Sequence, residues 1–188
     1  MSRTPELDTT ALSPDQQRVF DAIASGPRGK VQGPLKVWLQ SADLADKAQA
    51  LGTYCRYGTS LPPRLSELAI LVMGAYWQAG FEWWAHAPIA EKAGVNAAAI
   101  EAIRIGTTPS LTAVDEIAVY AFAHELVTKQ RVSDATYSTA ITALGQKAVV
   151  ELVGILGYYT LISMTIVAFD VAVPEGATDP FADRPRLG

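Results

Sequence analysis

Residues 61–106 read LPPRLSELAILVMGAYWQAGFEWWAHAPIAEKAGVNAAAIEAIRIG. Leu65, Leu68, Ala69, Val72, Met73 and Tyr76 recur at steps of three and four, the period of a helix with one apolar face. Pro63 suits a first helical turn, so a helix is expected over 63–79. Gly80 permits a tight junction, and a second helix follows over 81–92, ending near Gly94. Asn96 is placed to cap a third helix that runs to Ile105 and stops at Gly106. Glu67, Glu82 and His86 interrupt this apolar helical sequence. His86 is one of only two histidines in the chain.

Glu82 and His86 are four apart, so on a helix they share a face. A carboxylate there orients the imidazole and raises its basicity. Packing of the two helices about the Gly80 junction brings Glu67 toward the same place. Two carboxylates around a histidine are suited to general acid/base proton transfer. The same spacing also describes an ordinary polar pair on a solvated face, and the pattern leaves both readings open. Trp77, Phe81, Trp83 and Trp84 fit a pocket, an interface or a core equally well.

Outward from this stretch the chain stays helical. Ser13 and Pro14 open a helix over 14–24. Gly26, Pro27, Gly29, Gly33 and Pro34 break it, and a short helical turn follows over 35–39. Ser41 is expected to cap a helix over 42–57 that Gly58 ends. Thr112 and Asp115 approximate a capping box for a helix over 113–129. Ser133 caps 134–145, and a long apolar helix covers 147–169. No run shows strand alternation. The expectation is an all-α fold of about eight helices in one domain over 13–173, with a flexible N-terminus over 1–12. From residue 174, Pro174, Gly176, Pro180 and Pro185 imply an extended tail, disposed to lie over a neighbouring subunit.

Composition narrows the function. The chain has 188 residues, 49% hydrophobic and 18% charged, and a formal net charge of -4. It is apolar-rich for a monomer. It has no basic block for nucleic-acid phosphates or an anionic membrane surface. Cys55 is the only cysteine, so internal disulfides and thiolate zinc sites are excluded. The polar start and the free thiol fit the cytoplasm. Between Glu151 and Asp170 lie 18 uncharged residues, the lower edge of a membrane span. The glycines, tyrosines and hydroxyls within it, and the absence of basic flanks, favour a buried central helix.

Other candidates are weaker. A metal cluster of Glu67, Glu82, His86 and His124 is not expected, because HExxH and paired Glu/ExxH motifs are absent. His124 and Glu125 are neighbours and diverge on a helix. Cys55 reads as buried and inert. Arg56 reads either as a surface arginine or as a clamp for a substrate carboxylate. Tyr158 and Tyr159 offer hydroxyls to a cavity or simply pack. No dinucleotide or phosphate loop is present, and no cofactor is expected.

The pattern LPPRLSELAIL, then W-x-A-x-F-E-W-x-x-H, A-x-x-A-G-V and I-x-x-I, resembles the carboxymuconolactone decarboxylase-like superfamily, which includes the alkylhydroperoxidase D-like (AhpD-like) proteins. The flanks over about 13–175 resemble its longer, cysteine-free branch. In the peroxidase branch a glutamate, a CxxC pair and a histidine carry the chemistry. The resemblance puts the glutamate at Glu67 and the histidine at His86, while the cysteine places fall at Ala79 and Glu82. Disulfide-based peroxide reduction is therefore not implied. The decarboxylase side implies a cofactor-free lyase of aromatic-compound catabolism. It acts on a small lactone bearing a carboxylate, with isomerase or hydratase chemistry as the alternative. On that reading His86, Glu67 and Glu82 are catalytic, and Arg56, Trp77 and Tyr158 bind substrate. The resemblance further implies a homo-oligomer, a trimer or hexamer. A non-catalytic ligand-binding protein on the same scaffold is the other alternative.

Overall fold

In a computed structural model of the chain, which describes residues 3–5 and 7–184, the helices α4 (Pro63–Tyr76) and α5 (Gly80–Lys92) form the centre. They are joined by residues 77–79 and pack closely on each other. The reversal is made by Gln78, which takes a left-handed φ of 48°. Ala79 then donates its backbone N–H to the Gly74 carbonyl at 2.9 Å, closing the end of α4. Every residue of α4 from Leu65 to Ala75 is buried. A helix apolar on all sides belongs at the centre of a core, and each buried Leu or Ile there contributes about 1.5–3 kcal/mol.

Around this pair lie α1 (Pro14–Ser25), α2 (Pro34–Trp38), α3 (Ala42–Tyr57), α6 (Ala97–Ile105), α7 (Val114–Lys129), α8 (Asp134–Leu144) and α9 (Gln146–Phe169). The described residues thus form nine helices and no strand, against an expectation of about eight. Ser13 and Gln16 make a reciprocal capping box at α1, and Asn96 and Ser133 cap α6 and α8. The long apolar α9 packs on α2, α3, α4, α5 and α8, so it is a core helix of this chain. Trp38 Nε1 donates to Thr165 Oγ1 at 2.9 Å and ties α2 to it.

Several local expectations are corrected. Thr112 and Asp115 do not form a capping box. The N-cap of α7 is Ala113, and Asp115 Oδ2 instead accepts from Arg64 Nη2 at 2.6 Å, drawn off to hold α4. Ser41 makes no side-chain cap. The segment after α9 does not simply trail away. Phe181 is buried, edge-on to Trp83 at 5.4 Å, and Arg104 holds Asp183 at 2.9 Å. Phe181, together with the Arg104–Asp183 pair and the Arg184 bond to the Arg104 carbonyl at 2.7 Å, turns this polar, proline-rich segment back onto its own chain. Near the other end, Arg3 donates its backbone N–H to the Phe169 carbonyl. The last part of the expected tail, including Pro185, lies outside the described residues.

Candidate active site

Glu67 projects from the middle of α4, and Glu82 and His86 from α5, and the three side chains meet. His86 Nδ1 lies 2.6 Å from Glu67 Oε2, and His86 Nε2 lies 3.0 Å from Glu82 Oε1. All three residues are only 4% exposed, which rules out a solvated surface pair. The bond to Glu67 is short and well directed. The contact with Glu82 is close but poorly aligned, and Glu82 Oε1 has no hydrogen bond although it is buried. A buried carboxylate oxygen without a bond is costly and rare.

Burial alone disfavours the imidazolium. The carboxylate of Glu82, and then that of Glu67, outweigh it and raise His86 from its usual 6.5 to about 9. His86 is therefore protonated at neutral pH. Each carboxylate takes a different ring nitrogen, so the groups point at one another and not at a common centre. Among the described residues no His, Cys, Asp and Glu group is arranged to hold a metal ion.

The floor of the site is α9. The Tyr159 ring stands edge-on to His86 at 5.2 Å, and its hydroxyl is buried without a partner. Burial pushes this phenol well above its usual range, the Glu82 and Glu67 charges add to that, and Arg56 opposes it. Arg56 is thus electrostatically close to the site, although its guanidinium lies over the Tyr57 ring at 5.2 Å. Tyr158 packs edge-on to Tyr159 at 5.2 Å and accepts a hydrogen bond from Arg28 Nη2 at 3.1 Å. Trp77 is placed elsewhere. It lines a cavity of about 440 Å³ with Tyr76, Phe81, Ile166 and Val167 that none of the three central residues reaches. His124 stacks on Tyr120 at 5.4 Å beside another small cavity and does not join them. Cys55 is buried, and burial pushes its thiol up.

No protein-family model matches the sequence, and no curated protein matches it. Solved structures do match in shape. A peroxidase-related protein from Silicibacter sp. superposes with a TM-score of 0.72 at 13% identity, over 93% of this chain and 92% of that one. A peroxidase-related protein from Ralstonia eutropha with an alkylhydroperoxidase AhpD core gives 0.70 at 13% identity, over 93% of each chain. The debrominase Bmp8, as a cysteine-to-alanine variant holding 2,3,4-tribromopyrrole, gives 0.72 at 18% identity over 97% of each. The chain has the AhpD-like fold.

Within the AhpD-like fold this chain has no CxxC pair, since its single cysteine is Cys55 on α3. Two features escaped the sequence reading. Arg28 lies in a Gly/Pro linker and gives no periodic signal. Gly52 lies inside α3, where its spacing carries no signal. A Cβ there would meet Tyr158 Oη at 2.1 Å and Arg28 Nη2 at 2.4 Å, so glycine is what lets that pair pack against the helix.

Proposed function

We propose that the protein is a cofactor-free acid/base enzyme acting on a small carboxylated lactone or unsaturated acid, with decarboxylation as the reaction. One observation carries this reading: a buried His86 hydrogen-bonded to Glu67 at Nδ1, with the Glu82 carboxylate, buried and without a hydrogen bond at Oε1, 3.0 Å from Nε2. Glu67 holds the ring. His86 supplies the proton, with Glu82 beside Nε2 to relay it. The bond between the substrate and its carboxylate breaks, and CO₂ leaves. The electron pair stays on the substrate as an enolate conjugated with the lactone carbonyl. Carbon then takes the proton from His86, and solvent restores it. The imidazolium also offsets one of the two carboxylates, which eases entry of an anion. The complex of the Bmp8 variant with a brominated pyrrole supports the capacity of this fold to hold a small ring. An isomerase or hydratase of a related acid would use the same groups, removing and returning a proton or adding water.

We further propose that the protein works as a homo-oligomer, a trimer or hexamer, in the cytoplasm. The outward apolar residues of α9 support the association.

The test is turnover of a panel of small lactones and unsaturated acids in D₂O, followed by NMR for CO₂ loss and deuterium at carbon. Turnover is expected to fall about 10³-fold in His86→Ala and about 10²-fold in Glu67→Gln, the range for positioned acid/base groups. Wild-type turnover in His86→Ala would remove His86 from the mechanism. Binding without any chemistry would favour a ligand-binding protein on the same scaffold.

A further inference from the structure

The turn between α4 and α5, the end of α9 and the segment after it line a cavity of about 440 Å³. That volume lies within the range for small-molecule sites, about 300–1,000 Å³. Tyr76, Trp77, Phe81 and Ile166 give it apolar walls. The Tyr76 and Trp77 rings stand nearly perpendicular with centroids 5.7 Å apart, a corner of two aromatic surfaces, and Tyr76 is left 42% exposed. Trp77 Nε1 is buried, so the indole offers the cavity no donor. The charged residues among the lining are both acidic, Asp170 and Asp179, and none is Lys, Arg or His. Lys36 belongs to the adjoining cavity, which shares Phe81, and not to this one. The chain sets Asp179 in place deliberately. Asp170 takes a left-handed φ of 53° and turns the chain off α9. The chain then returns to lay Asp179 on Gly80, where a Cβ would stand 2.6 Å from Oδ1. Phe181 donates its backbone N–H to that same Oδ1 at 3.0 Å, and its ring is anchored on Trp83. Among the described residues Asp179 Oδ2 has no hydrogen bond and no ion pair. The carboxylate is thus fixed through one oxygen and leaves the other for a ligand.

We propose that this cavity binds a small organic ammonium with an apolar body. Asp179 pairs with the cation, and the faces of aromatic rings attract positive charge through their quadrupole. The apolar walls take the hydrocarbon part. An anion is repelled by the acidic lining, so the site does not serve a carboxylated substrate. A bare metal ion requires several oxygen ligands, and among the described residues no such group is assembled. Asp179 also lies at the first residue of α5, where negative charge is favoured. That role bears on stability, and it gives no preference between a charged and an uncharged ligand. The site is separate from Glu67, Glu82 and His86, and it stands whether or not His86 transfers protons.

The probes are benzylamine, a cation at neutral pH, uncharged benzyl alcohol and anionic benzoate, each titrated calorimetrically into the full chain. Wild type is expected to bind benzylammonium with a Kd of about 1 mM or tighter, the scale for so small a ligand. Benzyl alcohol is expected to bind at least about threefold more weakly, and benzoate not at all. Asp179→Asn keeps an amide oxygen for the Phe181 N–H. It is expected to lose about threefold or more for benzylammonium while keeping its affinity for benzyl alcohol. Asp43→Asn, at an exposed acid of α3, makes the same change in net charge and should alter neither. Tyr76→Leu is expected to lose a few-fold for benzylammonium. If Asp179→Asn does not fold, the wild-type ranking and Tyr76→Leu decide, and an unchanged benzylammonium affinity in Tyr76→Leu overturns the site. The proposal is also overturned if wild type does not bind benzylammonium, or if benzoate binds as tightly. It is overturned too if Asp179→Asn keeps wild-type affinity or loses both ligands alike, or if Asp43→Asn shows the same loss. His86→Ala should bind benzylammonium as wild type does, so its loss of turnover tests the acid/base reading separately.

Discussion

His86 holds its charge because a carboxylate sits at each of its ring nitrogens. Burial works against that charge, and the Glu82 and Glu67 carboxylates together overcome it, giving about 9 in place of 6.5. A histidine raised in this way stabilises the fold fully below its unfolded value near 6.5. That contribution is lost as pH rises through about 9. The acid form is likewise present at neutral pH and disappears on the alkaline side. The rate is therefore expected to fall above pH about 9. Removing one charge with Glu82→Gln should move that alkaline limb down by about one unit or more, the usual effect of an adjacent opposite charge. A pH–rate profile and an NMR titration of the imidazole both measure it. A limb that stays in place in Glu82→Gln would mean that Glu82 does not hold the proton on His86.

Among the elements, α9 does two jobs: it floors the site and it anchors the loop that leads into α4. The anchor is Glu151, which is buried and accepts from Ser60 N and Tyr54 Oη at 2.7 Å and from Ser60 Oγ at 2.5 Å. The Ser60 and Tyr54 hydroxyls, with the Ser60 N–H, hold its carboxyl down at about 2. A depressed carboxyl stabilises above its unfolded value near 4.5, and the benefit is lost as pH falls toward about 2. Glu151→Gln should therefore lower stability at neutral pH and flatten the acid limb of the melting temperature between pH 4.5 and 2. Thermal melts across that window decide it, and an unchanged acid limb would exclude Glu151 as the anchor. The sequence marked Glu151 only as the edge of an apolar run, because an acceptor facing partners from another helix leaves no local pattern. Helices, by contrast, were legible nearly to the residue, since period, proline and glycine act locally. The contact of Glu67 with His86 was legible because three linker residues leave α5 little choice but to fold along α4. Which cavity Trp77 lines was not legible, because it sits at the end of α4 beside the left-handed turn at Gln78, where no helical period applies. Arg28 and Gly52 were invisible because their roles exist only once α1, α3 and α9 are assembled.

At the scale of the molecule, the apolar excess of the composition is not all absorbed by the core. Val150, Val153, Leu161, Met164 and Val167 of α9 are exposed. Their spacing lays them along one outward side of the helix. Gly154 and Gly157 lie among them, and a Cβ at either would meet nothing within 4 Å. The helix is therefore open to close approach over that length. Tyr54 of α3, itself exposed, stands beside its first turns because it bonds to Glu151. An outward apolar stripe of this kind on a core helix is a surface that gains by being covered, and a second copy presents the matching stripe. If α9 is the contact between copies, wild type should elute with a mass that is a small multiple of 20.1 kDa. The double substitution Val150→Glu and Val153→Glu would bring like charges together across the contact and should yield monomers with unchanged helical content. Light scattering after size exclusion, paired with circular dichroism, separates the cases. A wild type that is monomeric at micromolar concentration, or a double variant that keeps the wild-type mass, would show that the face of α9 does not join copies of the chain.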